Sequence, residues 1–272
     1  MGEFGIDWDN WRNKPKSFGF SGCFRLRNES QFMEVAIKSH LSWLDEAVLV
    51  VQPSEDDTIE KAQKMAAEDK RIKVYEYPFE CDWIDTPEFY AKDPHSPGHM
   101  VHMSNWAFTR CQYSWIVKVE GDVIATSAFA DVIDRVKFEP DILRYYGRVV
   151  LNVAGEDCDQ ISWDNPRNGG WDEAVVPNHP DYHFERQSKW EVLQKPGEGI
   201  SMGWSGLHMK RCKNGKTNGW NGEKYVPFNH NEVRNALTRF NRLMSYPAAD
   251  NPLGAETIYE KEWIEHYLNV RS

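Results

Sequence analysis

The feature that most restricts the fold is an alternation of two hydrophobic periods between Phe18 and Tyr77. Phe18 to Leu26 has the composition of a strand and ends in the polar cluster Arg25-Leu26-Arg27-Asn28-Glu29. Ser30 suits an N-cap, and Phe32, Met33, Val35, Ala36, Ile37 and Leu41 then sustain a helix. Ala47 to Val51 is an unbroken apolar run closed by Gln52-Pro53-Ser54, the pattern of a strand buried on both faces. Asp57 and Glu60 form a capping-box pattern ahead of Ile59, Ala62 and Ala66, which share one helical face. Ile72 to Tyr77 is a third strand. Such a βαβαβ order predicts a mostly parallel, Rossmann-like sheet with right-handed crossovers and helices on its faces.

Beyond Tyr77 the chain runs through a stretch of about 20 residues, Pro78 to Gly98, a length typical of lids and binding segments. A helix from His99 to Gln112 is expected to return to a fourth strand, Trp115 to Val119, which leads into Glu120-Gly121-Asp122. Phe129, Val132, Ile133 and Val136 follow helical spacing, and Ile142 to Val153 suggests one or two more strands. Gly155 to Asn221, rich in Gly, Asn, Trp and Pro, reads as irregular. Two helices, with Val233, Leu237, Phe240 and Met244 on one and Tyr259, Trp263 and Tyr267 on the other, are expected to form a C-terminal appendage. The domain expectation is thus 1–230, with 231–272 packed on it.

Composition removes several classes. No apolar run reaches the 18 or so residues of a membrane span, and the acidic, aromatic start, Met1 to Asn13, is unlike a signal peptide. A cytoplasmic protein is expected. The five cysteines, Cys23, Cys81, Cys111, Cys158 and Cys212, form no CxxC pair and read as reduced thiols. A net charge of −10 opposes general nucleic-acid binding. The segment from Gly203 to Leu243 runs the other way, with eight basic and two acidic residues. Gly-x-Gly-x-x-Gly, a P-loop and a Gly-x-Ser-x-Gly elbow are all absent; Met202-Gly203-Trp204-Ser205-Gly206 only approaches the last.

In an open α/β sheet, ligands bind beyond the carboxyl ends of the strands. That rule gathers Arg25 to Glu29, Gln52 to Asp57, the segment from Pro78, and Glu120-Gly121-Asp122. Two carboxylates at the exit of a buried strand need a compensating cation, and Mg²⁺ characteristically takes one or two carboxylates beside substrate phosphates. Gly121 would permit a sharp turn that aims both at one point. His95, His99 and His102 have helical spacing but no partner ligand, which favours a role in a lid helix near phosphate over zinc.

Phe24 to Glu29, then Leu49-Val50-Val51-Gln52-Pro53-Ser54-Glu55-Asp56-Asp57-Thr58, then Asn105 and Ala107 ahead of Trp115 to Asp122, resemble the family 2 type of GT-A glycosyltransferases. The resemblance covers roughly residues 20–136. It implies a GT-A fold with a nucleotide-sugar half at 18–136 and an acceptor half at 137–230. It also implies an inverting transferase that uses Mn²⁺ or Mg²⁺ and a nucleotide-diphosphate sugar. By the same resemblance Arg25, Asn28, Glu29, Ser54 and Asp57 contact the nucleotide, and Glu120 and Asp122 hold the metal with His208. Lys210 and Arg211 would neutralise the leaving group. The catalytic base falls on Glu173 or Asp172 in Gly169-Gly170-Trp171-Asp172-Glu173, with Glu156 and Asp157 in reserve. Gln52 replaces the family's usual acidic residue, and Glu120 replaces the first Asp of Asp-x-Asp. A glycan is the expected acceptor, and the basic segment admits a base in DNA as an alternative. A nucleotidyltransferase or a non-catalytic carbohydrate-binding protein are the rival classes.

Overall fold

The computed structural model describes residues 3–125, 129–138, 145–154, 160–162, 173–197, 199–209, 213 and 225–227. After α1 (Trp8–Asn13) come β1 (Ser17–Leu26), α2 (Met33–Leu41), β2 (Glu46–Val51), α3 (Thr58–Glu68) and β3 (Ile72–Glu76). Next are α4 (Pro87–Ala91), α5 (Met100–Arg110), β4 (Tyr113–Glu120), β5 (Val123–Ala125) and α6 (Phe129–Phe138). The rest are strands: β6 (Tyr145–Ala154), β7 (Gln160–Ser162), β8 (Glu173–Pro177), β9 (Phe184–Gln187), β10 (Trp190–Leu193), β11 (Gly199–His208) and β12 (Tyr225–Pro227).

Ten strands form one sheet in the order β12-β7-β6-β8-β4-β1-β2-β3, with β11 on β6 and β5 on β11. The segment β3-β2-β1-β4 is parallel, as is the β6–β11 pair, and β8 is inserted antiparallel between β4 and β6. The fold is therefore the expected α/β one, a mostly parallel central sheet flanked by helices. Period-2 alternation divides the strands between two cores. Phe20, Phe24 and Leu26 of β1, Ala47, Leu49 and Val51 of β2, and Trp115, Val117 and Val119 of β4 meet α2, α3 and α6. Cys23, Val48, Val50 and Ile116 meet α5 and α1 on the other side. Handedness explains the division. The chain steps from β1 to β2 to β3 in one direction, then doubles back to β4, so right-handed crossovers place α2 and α3 on one face and α5 on the other.

Several expectations change. Helix α2 starts at Met33 rather than after a Ser30 cap, because residues 29–32 form a turn in which Phe32 N and Met33 N both donate to Glu29 O. Ser30 N donates instead to Asp56 Oδ2. Asp57 is the N-cap of α3, but its side chain caps nothing, and Asp56 Oδ1 accepts the Thr58 N–H. The stretch expected to be irregular, Gly155 to Asn221, contains β7 to β11, and Met202 to Gly206 lies inside β11. Both closing helices fall outside the described residues. Among the described residues no helix is long and apolar enough to cross a membrane.

Candidate active site

The sheet reverses its winding between β1 and β4, the place where α/β folds open a crevice at the carboxyl ends of their strands. Register sets Arg25 beside Glu120 there. From Glu120 the chain turns through Gly121 and Asp122 into β5, which pairs antiparallel with the end of β11, so that His208 stands opposite Val123. Met209 N donates to Asp122 O at 2.9 Å and fixes the junction. Gly121 serves through its size, since its φ is not positive. A Cβ there would fall 2.5 Å from Leu26 Cδ2 and 3.0 Å from Glu29 Cγ. The acidic turn can therefore lie close against the end of β1.

Glu120, Asp122 and His208 each offer a ligand atom, and the three atoms lie within 4.8 Å of one another. His208 Nε2 is 3.4 Å from Asp122 Oδ1 and 3.6 Å from Glu120 Oε2. The Asp122 side chain is only 3% exposed. The two carboxylate oxygens suit a hard cation such as Mg²⁺ or Mn²⁺, while the imidazole nitrogen is a donor that Mg²⁺ seldom takes. A second cation is close: Lys213 Nζ lies 2.6 Å from Asp122 Oδ2 and 2.6 Å from Glu29 Oε2. Burial alone would raise the Asp122 carboxyl, but His208 and Lys213 outweigh it and hold the group well below the usual range. Glu29 goes the other way. Burial and the charge of Asp122 push it up to about 8 against the pull of Lys213.

No family model matches the sequence, and no curated protein does. Solved structures resemble it. One is S. aureus TarS, at 12% identity and a TM-score of 0.48, with 90% of this chain and 47% of that chain covered. Another is glucosyl-3-phosphoglycerate synthase from Mycobacterium tuberculosis in complex with Mn²⁺, uridine-diphosphate and phosphoglyceric acid. There the identity is 12%, the TM-score 0.45, and 75% of each chain is covered. The chain thus spans about half the length of the TarS structure.

The residues expected to contact a nucleotide are largely engaged within the protein. Arg25 pairs with Glu191 of β10 and Ser104 of α5 and lies over the Phe184 ring at 5.1 Å. Its Nε is buried and makes no hydrogen bond among the described residues. Asn28 adopts a left-handed φ of 55°, which asparagine tolerates. Its N–H donates to Ser54 Oγ, and its Oδ1 accepts the Glu55 N–H at 2.8 Å. The Ser54 hydroxyl in turn donates to Gln52 O. Asp57 points outward toward Lys61 at 3.3 Å. Gln52 is buried and its Oε1 accepts the Cys81 N–H, so the residue ties β2 to the segment after β3.

Glu173 opens β8, one position before Ala174, which pairs with Lys118, so its backbone stands at the Glu120 end of the sheet. Asp172, Glu156, Asp157, Lys210 and Arg211 lie outside the described residues. The histidine expectation is corrected. His102 Nδ1 is 2.9 Å from the Tyr77 hydroxyl, while His99 accepts the Val101 N–H and meets Phe89 O through Nε2 at 3.2 Å. Both are buried and anchor the segment before α5, because that face packs on the second core. Lys213 and Glu191 were missing from the sequence-derived set. The basic run from Lys210 to Lys216 pointed toward the first, but nothing local to Glu191 signals a partner for Arg25.

Proposed function

We propose that this chain is a glycosyltransferase that moves a sugar from a nucleotide-diphosphate donor to an acceptor hydroxyl, with inversion at the sugar carbon. The observation that carries the reading is the convergence of Glu120, Asp122 and His208 at the β1/β4 switch point, against the turn that holds Asn28 and Glu29. Family resemblance in the order and spacing of the motifs supports it. A divalent ion held by the three side chains would neutralise charge on the departing diphosphate. Asp122 is ready to bind a cation, since its carboxyl stays ionised although buried. The rim formed by Asn28, Ser54 and Glu55 frames the nucleotide end, while Lys213 adds positive charge on the phosphate side. On this reading Glu173 is the base. As the acceptor oxygen bonds to the sugar carbon, the bond to the diphosphate breaks, its electron pair leaves with phosphate, and the hydroxyl proton passes to the Glu173 carboxylate.

A thermal-shift series with nucleoside diphosphates, each with and without Mn²⁺, tests the reading. At a hundredfold excess over its Kd a bound nucleotide stabilises the fold by about 2.7 kcal/mol. For a chain of this size that raises Tm by roughly 5–10 °C, and the rise should need Mn²⁺. A Tm unmoved by every nucleoside diphosphate, metal present or not, would sink the proposal.

A further inference from the structure

The pocket carries a cation of its own. Lys213 Nζ contacts Asp122 Oδ2 at 2.6 Å and both Glu29 oxygens, at 2.7 and 2.6 Å. All three side chains are largely enclosed, Lys213 at 18% exposure, Glu29 at 15% and Asp122 at 3%. Elsewhere lysine pairs such as Lys61–Asp57 and Lys189–Asp85 sit at the surface, where water screens them. A buried carboxylate that lost its partner would be strongly destabilising, so Lys213 satisfies a real electrostatic demand. It does so on the same carboxylate that faces His208 through its other oxygen. A metal on Glu120, Asp122 and His208 would have to share Asp122 with the ammonium.

We infer that Lys213 is a tethered counter-ion that competes with divalent metal for Asp122 and passes to the donor's diphosphate once metal is bound, so metal and nucleotide bind tightly only together. The inference rests on the glycosyltransferase reading of the same pocket. Its basis is occupancy: while the ammonium holds Asp122, the metal-competent arrangement is a minor population, and apparent metal affinity falls by that fraction. A diphosphate gives the ammonium a new anionic partner and releases Asp122. By linkage, metal then tightens the nucleotide by the same factor.

Free Mn²⁺ followed by electron paramagnetic resonance tests this without any turnover, in wild type, Lys213→Met, Lys213→Gln and Lys213→Arg, each alone and with UDP. Wild type should bind Mn²⁺ weakly alone and at least tenfold more tightly with UDP. Lys213→Met should bind Mn²⁺ alone at least tenfold more tightly than wild type and gain less from UDP. Lys213→Gln keeps hydrogen-bonding groups for Asp122 and Glu29 without the charge; it should behave like Lys213→Met and serves if that variant fails to fold. Lys213→Arg should retain the wild-type dependence on UDP. If wild type binds Mn²⁺ and UDP together but both neutral variants leave metal-alone affinity unchanged, the Lys213 inference is overturned and the enzyme reading stands. If wild type takes up neither Mn²⁺ nor any nucleoside diphosphate, even together, both fall.

Discussion

Asp122 and Gly121 show how much of the site is settled by single positions. Asp122 is enclosed yet ionised because His208 and Lys213 flank it, so removing its charge should be costly to metal and cheap in shape. Asp122→Asn is expected to weaken Mn²⁺ binding in the presence of UDP by about a hundredfold or more, measured by titration; wild-type affinity in that variant would dismiss the carboxylate as a ligand. Gly121→Ala tests the close approach instead. Its added methyl must displace Leu26 or Glu29, and urea unfolding should register a loss of about 1–3 kcal/mol. At this scale the sequence was readable where chemistry is local, since Glu120-Gly121-Asp122 is three residues long. Lys213 lay in a run of basic residues whose members differ only in direction, and direction is a tertiary property. Arg25 stands beside Glu120 at the end of β1, but its partner Glu191 is 166 positions away.

Elements with both faces buried announced themselves, whereas elements whose partners are distant did not. β2 is a nearly continuous apolar run, and β1 and β4 carry apolar side chains on both faces, because helices cover both sides of the sheet. The strands β8 and β11 form by pairing with strands far away in sequence, and β9 and β10 form a short hairpin of mixed, half-exposed residues, so no period of their own reveals them. Helix α5 was expected in nearly its observed place, yet His99 and His102 were expected in a lid helix near phosphate and are packing groups. That correction has a pH consequence. Burial lowers the pKa of His99 and His102 from 6.5, so the folded chain binds fewer protons than the unfolded one. Their contribution to stability is complete above about 6.5 and is lost as pH falls toward the lower folded values. Tm should therefore drop between about pH 7 and pH 5, and His102→Asn, whose amide can still meet Tyr77, should show a shallower drop. An identical slope in that variant would exclude His102 as a source of acid sensitivity.

Across the molecule, the two cores share one sheet, and β1, β2, β4 and β8 supply buried side chains to both. Phe24 is fully buried in the cluster under α2 and α6, and its ring lies edge-on to His40 at 5.8 Å between centroids. Phe24→Ala should cost about 3–5 kcal/mol by denaturant unfolding, with the loss felt at the site because Arg25 follows it directly; a loss under about 1 kcal/mol would mean that the sheet repacks freely there. The bonds joining Asn28 to Ser54 and Glu55, Glu29 N to Thr58 Oγ1, and Ser30 N to Asp56 make the turns after β1 and β2 a single clasp. Under the proposed function, an engineer who wished to retune the nucleotide preference would have to transplant residues 28–30 and 54–58 as one cassette, because a loop exchanged alone would arrive without the half that shapes it.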